Sequence, residues 1–219
     1  NTLTVTKENA ADGRASFYIA SSEGVTADDE GEGVRSQNAA LDWLGPVRGT
    51  DTYTLTGQPD TFLLKGPATV RWNGQVVDPA DLGSSSAAVE EDSLSQTLRI
   101  ESTGTGRGYY AVTTSEGIVA TDAEAVSDGY SALDHVGPAR GTDEFRFGGD
   151  IVRFLSTEHV RVFVNGTEVD PSEAPSSAGG GATGTPTPTP TPEPNSPAPT
   201  PTPESNSPTS TATTDTETP

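Results

Sequence analysis

His135 and His159 are the only imidazoles in the chain, and cysteine is absent. Missing thiols remove disulfides, thiolate metal sites and cysteine nucleophiles together. A serine-type triad needs a base that touches a nucleophile and is itself held by an acid. The adjacent pair Asp134-His135 does not supply one, because neighbours in a strand face opposite ways. Its counterpart in a second stretch of the chain is Asp42-Trp43, so packing explains the His135 position better than proton transfer. Arg48-Gly49-Thr50-Asp51 and Arg140-Gly141-Thr142-Asp143 have the form of an adhesive or sugar-contacting loop. The structural expectation is a turn that feeds a strand, with glycine supplying the unusual φ and Thr and Asp bonding nearby backbone N–H groups. Asp28-Asp29-Glu30-Gly31-Glu32-Gly33 opens like a calcium loop. An EF-hand places a bidentate Glu at the twelfth position, which here is Ala39. Solvated acidic surface is therefore expected, with an irregular calcium site as the alternative, and neither catalytic residues nor a cofactor or metal are assigned.

Aromatic side chains supply the remaining chemistry. Trp43 and Trp72, with Tyr18, Tyr109, Tyr110 and Tyr130, are the candidates for a platform on which a sugar stacks. Trp43 aligns with His135 and Trp72 with Val164, so both tryptophans are expected to fill space at or near a core. Asn165-Gly166-Thr167 is an N-glycosylation sequon at a hairpin tip. The counterpart Asn73-Gly74-Gln75 is not a sequon, so Asn-Gly is required there for turn geometry in any case.

What positions these residues is a duplication. Residues 40–79 and 132–171 align without a gap at an offset of 92 and share 18 of 40 positions. Upstream, Gly13-Arg14 pairs with Gly106-Arg107, and Leu3-Thr4-Val5 with Leu98-Arg99-Ile100. Each copy reads as β. Tyr53 and Leu55 alternate with threonines, and Phe145 and Phe147 with Glu144 and Arg146, the period of a strand with one buried face. Phe17/Ile19 and Tyr110/Val112 point to a core in the same way. Asn73-Gly74 and Asn165-Gly166 lie between β-forming runs and predict two-residue type I′ hairpins. Asp78-Pro79 and Asp170-Pro171 then stop the strand. The stretch around Ala39-Ala40-Leu41-Asp42 is expected to form one turn of helix at most. The fold class is thus all-β: two tandem small β-sandwich or partly open β-barrel domains of about 75–80 residues, with six or seven strands each, and a disordered tail. The boundaries read 1–82 for the first repeat, 83–96 for a polar linker, 97–173 for the second repeat and 174–219 for a Thr/Pro/Ser-rich stalk.

Composition constrains location and partners. There are 32 acidic residues against 12 Lys and Arg, a formal charge of −20, and only Lys7 and Lys65 are lysines. That balance argues against nucleic acid, whose binding needs clustered cations, and against anionic membrane surfaces. No apolar run approaches the roughly 18 residues of a membrane helix. Self-repulsion favours high salt, where screening is strong. The tail from Pro175 has neither aromatic nor basic side chains and cannot bury enough area to order. Its alternating prolines favour extended polyproline II with a reach on the order of 100 Å, and Thr/Ser beside Pro is the composition of O-glycosylated stalks. The chain opens on strand-like sequence with neither Met nor a leader, as a processed or excerpted piece would.

The residues Gly45, Gly49-Thr50-Asp51, Tyr53, Leu55 and Gly57, then Val70, Trp72-Asn73-Gly74 and Val77-Asp78-Pro79, have equivalents in the second copy, where Phe145, Phe147 and Val164 replace Tyr53, Leu55 and Trp72. This pattern resembles small β modules of secreted and cell-surface proteins of haloarchaea, a family without an assigned activity. The tail is similar to the stalk of haloarchaeal surface glycoproteins. The resemblance implies an extracellular or cell-surface location. The expected function is a non-enzymatic structural or adhesion module on a flexible stalk, self-associating in a surface layer or filament or contacting cell-surface glycans. The alternatives are a carbohydrate-binding module and an accessory region of a secreted hydrolase.

Overall fold

Period-two sequence builds nine strands per repeat among the residues that the computed structural model describes, namely 1–9, 13–28, 33–45, 47, 49–83, 89–104, 106–121, 124–137 and 141–173. In the first repeat these are β1 (Thr2–Lys7), β2 (Ala15–Ala20), β3 (Val25–Ala27), β4 (Val34–Ser36), β5 (Ala39–Leu44), β6 (Gly49–Leu55), β7 (Thr61–Lys65), β8 (Thr69–Trp72) and β9 (Gln75–Val77). The second repeat follows the same order. It comprises β10 (Gln96–Ser102), β11 (Gly108–Thr114), β12 (Ile118–Ala120), β13 (Val126–Ser127), β14 (Ser131–Val136), β15 (Thr142–Phe147), β16 (Ile151–Ser156), β17 (Val160–Val164) and β18 (Thr167–Val169). The protein is all-β, and no described helix is long and apolar enough to cross a membrane. The expected stalk lies outside the described residues.

Each repeat folds as two antiparallel sheets. The outer sheet of the first has the order β3-β6-β1-β8-β9 and the inner sheet β4-β5-β2-β7. The second has the equivalent outer sheet β12-β15-β10-β17-β18 and inner sheet β13-β14-β11-β16. Leu3, Val5, Tyr53, Leu55 and Val70 from the outer sheet meet Phe17, Ile19, Ala40 and Phe62 from the inner one. Leu98, Ile100, Phe145 and Phe147 meet Tyr110, Val112 and Phe154 in the second core. The alternation seen in sequence selects these inward residues, and burying each large apolar side chain contributes about 1.5–3 kcal/mol.

A third apolar cluster joins the repeats. Tyr18, Ala20, Ala39, Leu41 and Leu63 of the first inner sheet pack on Tyr109, Ala111, Leu133 and Leu155 of the second. Both inner sheets are therefore covered on both faces, and the order of layers is outer, inner, inner, outer. Every residue of β2 is buried. This corrects one expectation. Ala39–Leu44 is a central strand, β5, and not a helical turn: small residues suit a strand sandwiched from both sides, where alternation no longer has a wet face to mark. The segment expected as a polar linker carries Leu94, which is buried and whose carbonyl accepts from the Arg146 guanidinium at 3.0 Å.

The outer faces of the outer sheets differ. In the first repeat Thr2, Thr4 and Thr6 of β1 stand opposite Thr54, Thr52 and Thr50 of β6, a ladder of β-branched hydroxyl pairs. In the second, Arg99 faces Glu144, and its guanidinium lies 4.1 Å from the centre of the Phe163 ring. The Asn-Gly turns have the positive φ of type I′ geometry, 49° and 82° at Asn73-Gly74 and 51° and 81° at Asn165-Gly166.

Candidate functional site

Arg14 and Arg107 precede β2 and β11, the central strands of the two facing inner sheets. The packing of the sheets brings these equivalent arginines to one end of the seam. Two depressions open there, of about 580 and 550 Å³, and both are lined by Arg14, Arg107 and Tyr109. One adds Trp43, Gly106, Glu158 and His159; the other adds Gly13, Lys65, Gly66 and His135. With Thr157, which also lines the first, most of these additions are one another's counterparts: Gly13 aligns with Gly106, Lys65 with Thr157, Gly66 with Glu158 and His135 with Trp43. The duplication has thus produced one cleft with internal pseudo-symmetry. A further depression, lined by Lys7, Glu8, Gly49 and Thr50, lies at the end of β1 and opens more widely.

Glycine permits the close approaches that shape the cleft. A β carbon at Gly66, whose φ is +95°, would stand 2.4 Å from the Arg14 carbonyl oxygen. One at Gly106 would stand 2.5 Å from the His159 ring. His159 itself has a φ of 72°, an uncommon conformation for a side chain of its size. Tyr109 forms the aromatic wall, stacking on Trp43 at 4.8 Å with the rings 3° from parallel, and Arg14 donates to its hydroxyl at 3.4 Å.

The charges below the cleft are paired. Lys65 donates to the Asp134 carboxylate and, at 2.7 Å, to the Glu124 carbonyl, tying the first repeat to the second. Asp134 also accepts the His135 backbone N–H at 2.7 Å and lies 3.2 Å from its Nδ1. Burial disfavours the Asp134 charge, but hydrogen bonds from His135 and Lys65 outweigh it and hold the carboxyl below its ordinary value. The expectation that Asp134 and His135 cannot meet is therefore corrected. The carboxylate folds back along its own strand to the next N–H, which carries it to the ring. Asp42 does the same toward Trp43 N–H, at 2.8 Å. It also accepts the Tyr53 hydroxyl at 2.6 Å and lies 3.4 Å from Arg35. Burial, reinforced by Asp42, pushes the Tyr53 phenol well above its usual range. Among the described residues no hydroxyl is hydrogen-bonded to the His135 ring.

The other sequence candidates disperse. Tyr18 and Tyr110 are fully buried and Tyr109 is 4% exposed, so these rings do not form an open sugar platform; the demand for core and seam packing has taken them. Tyr130 is partly exposed. Trp72 pairs across strands with fully buried Leu3 and closes the edge of the first core. Trp43 is half-buried at the cleft. Gly49-Thr50-Asp51 belongs to β6 and Thr142-Asp143 to β15, so these residues lie in strands and not in a turn. Asp143, fully buried, accepts the Tyr110 hydroxyl at 2.6 Å, which gives it a role in the second core. Arg48 and Arg140 lie outside the described residues, as do residues 29–32 of the acidic run; Asp28 accepts the Thr54 hydroxyl at 3.0 Å. No cluster of three metal-ligating side chains occurs among the described residues. Asn165 is exposed, its Oδ1 accepting Thr97 N–H at 3.0 Å and its Nδ2 donating to Gln96 at 3.3 Å. Sequence reasoning missed Arg14, Arg107 and Lys65; the signal was that Gly-Arg repeats at equivalent positions in a chain with few cations. No known protein family, curated protein or solved structure matches the chain.

Proposed function

We propose that this chain is a non-enzymatic structural or adhesion module of the cell surface, with its two β repeats acting as one rigid head on the Thr/Pro-rich stalk. The observation that supports this reading is the apolar seam between the inner sheets, because sheets covered on both faces make a stiff body from two small units. Rigidity of this kind serves a load-bearing or spacing role. Acidic composition supports a high-salt exterior, where added Asp and Glu keep a surface hydrated and screening relieves their repulsion. Outer sheets that end in three-residue strands β3 and β9 leave edges for pairing between copies, short enough to restrain it when charge is unscreened.

Electron microscopy of the purified chain across a salt series is the test. Ordered filaments or layers appearing at molar salt and dispersing on dilution are expected. Isolated particles at every salt and protein concentration would remove self-assembly from the reading.

A further inference from the structure

The cleft at the seam goes beyond a structural role. It gathers Arg14, Arg107 and Lys65 from a chain of only 12 Lys and Arg, together with both histidines. In a molecule of charge −20 this concentration makes a locus that favours an anion. Arg14 and Arg107 are both exposed, and among the described residues Arg107 has no ion-pair partner. Lys65 is already engaged by Asp134, so the two arginines are the available forks, and guanidinium geometry matches carboxylate or sulfate bidentately.

Trp43 adds the second requirement. Its ring is backed by Tyr109, half-buried and part of the cleft wall, which is the arrangement for an apolar sugar face. Glu158 on the rim is an acceptor for sugar hydroxyls. Each depression, at 580 and 550 Å³, lies in the size range of small-ligand pockets of about 300–1,000 Å³. A long polyanion such as nucleic acid would meet the acidic remainder of the surface, whereas a short glycan segment would not.

We propose that the cleft binds an anionic saccharide, Arg14 and Arg107 clamping a carboxylate or sulfate and Trp43 receiving the face of the sugar ring. The site is complete in one copy of the chain, so it stands or falls independently of self-assembly. The test is titration of the full chain, in the Trp72→Phe background so that Trp43 is the only indole, in about 1 M KCl, where the Debye length is about 3 Å and direct contacts dominate. The probes are tetragalacturonate, a sulfated tetrasaccharide, neutral cellotetraose and inorganic sulfate. One of the anionic oligosaccharides is expected to shift Trp43 fluorescence and to bind at least tenfold more tightly than cellotetraose. Arg14→Gln and Arg107→Gln are each expected to weaken that binding about tenfold with the melting temperature unchanged. Which oligosaccharide responds distinguishes carboxylate from sulfate. Inorganic sulfate binding as tightly as the oligosaccharides, with no Trp43 response, would mean an adventitious ion only and would overturn the proposal. So would the absence of oligosaccharide binding, or binding indifferent to both arginine substitutions.

Discussion

A phenol hydroxyl changes rings between the two repeats. Phe17 and Tyr53 meet edge to face at 5.8 Å and 81°, and Tyr110 and Phe145, their counterparts, meet at 6.1 Å and 85°. The aromatic pair is the same, but its single hydroxyl reaches Asp42 in the first repeat and Asp143 in the second. Asp134, the counterpart of Asp42, accepts from Lys65 of the other repeat. Each buried carboxylate has its donor, from a different source, as the cost of leaving one unsatisfied demands. Tyr53→Phe should therefore lower stability by about 1–3 kcal/mol in chemical denaturation, since Asp42 loses a buried donor. The sign with pH follows from the raised phenol. Above its ordinary value of 10.0 the unfolded chain releases the proton while the fold retains it, so stability falls as pH rises past 10.0. The decline should be shallower in Tyr53→Phe. Asp134 has the opposite sign: its lowered value stabilises the fold above 3.8, and that contribution is lost as pH falls below it. Asp134→Asn should be less stable than wild type by about 1–3 kcal/mol at neutral pH, with the two denaturation curves converging below 3.8. Little of this was legible beforehand. Alignment places the aspartates and aromatics at matching positions, but it does not say which ring carries the hydroxyl to which carboxylate, and the Lys65–Asp134 pair forms only across the two repeats.

Turns and outward-facing strands were the elements legible in sequence, because their constraints are local. Asn-Gly demands left-handed φ at both residues, and alternating Thr/Tyr or Glu/Phe reports one wet and one buried face. The asparagine does more than the dipeptide rule requires. Asn73 Oδ1 accepts Thr2 N–H at 2.9 Å, as Asn165 Oδ1 accepts that of Thr97, pinning the turn to the first strand of its own repeat. Asn73→Ala should lose both the tolerated φ and this acceptor, about 2 kcal/mol together, while Asn73→Gly restores the φ component alone; thermal denaturation separates the two. Gly66→Ala should cost more than Gly74→Ala. Both have positive φ, but only at Gly66 does the new methyl meet backbone, the Arg14 carbonyl, whereas nothing lies within 4 Å at Gly74. The inner strands were not legible in this way. Ala39-Ala40-Leu41 and Ala132-Leu133 lack alternation because a second sheet covers what would be their wet face, and pattern alone cannot separate such a run from a helical turn.

At the scale of the molecule, divergence of the two copies is what makes the seam fit. Tyr18 aligns with Ala111, and Ser16 with Tyr109, so at each pair of equivalent positions one repeat carries the ring and the other the small residue. Two identical copies would oppose ring to ring or void to void. Tyr18 instead reaches across to Thr113 at 3.0 Å and receives Arg153 at 3.3 Å, while Tyr109 meets Trp43. Such a seam is specific to one copy paired with the other. The described residues belong to one compact unit, Asn1–Gly180, so the repeats should unfold together, in one calorimetric transition whose van't Hoff and calorimetric enthalpies agree. Leu133→Asp places a charge at a fully buried seam position and leaves the side chains of both sandwich cores in place. It should split the transition in two, with the second repeat melting first because the substitution lies on its own central sheet. Two resolved transitions in the unmodified chain would mean that the seam is too weak to couple the repeats, and the rigid head would become a pair of hinged ones.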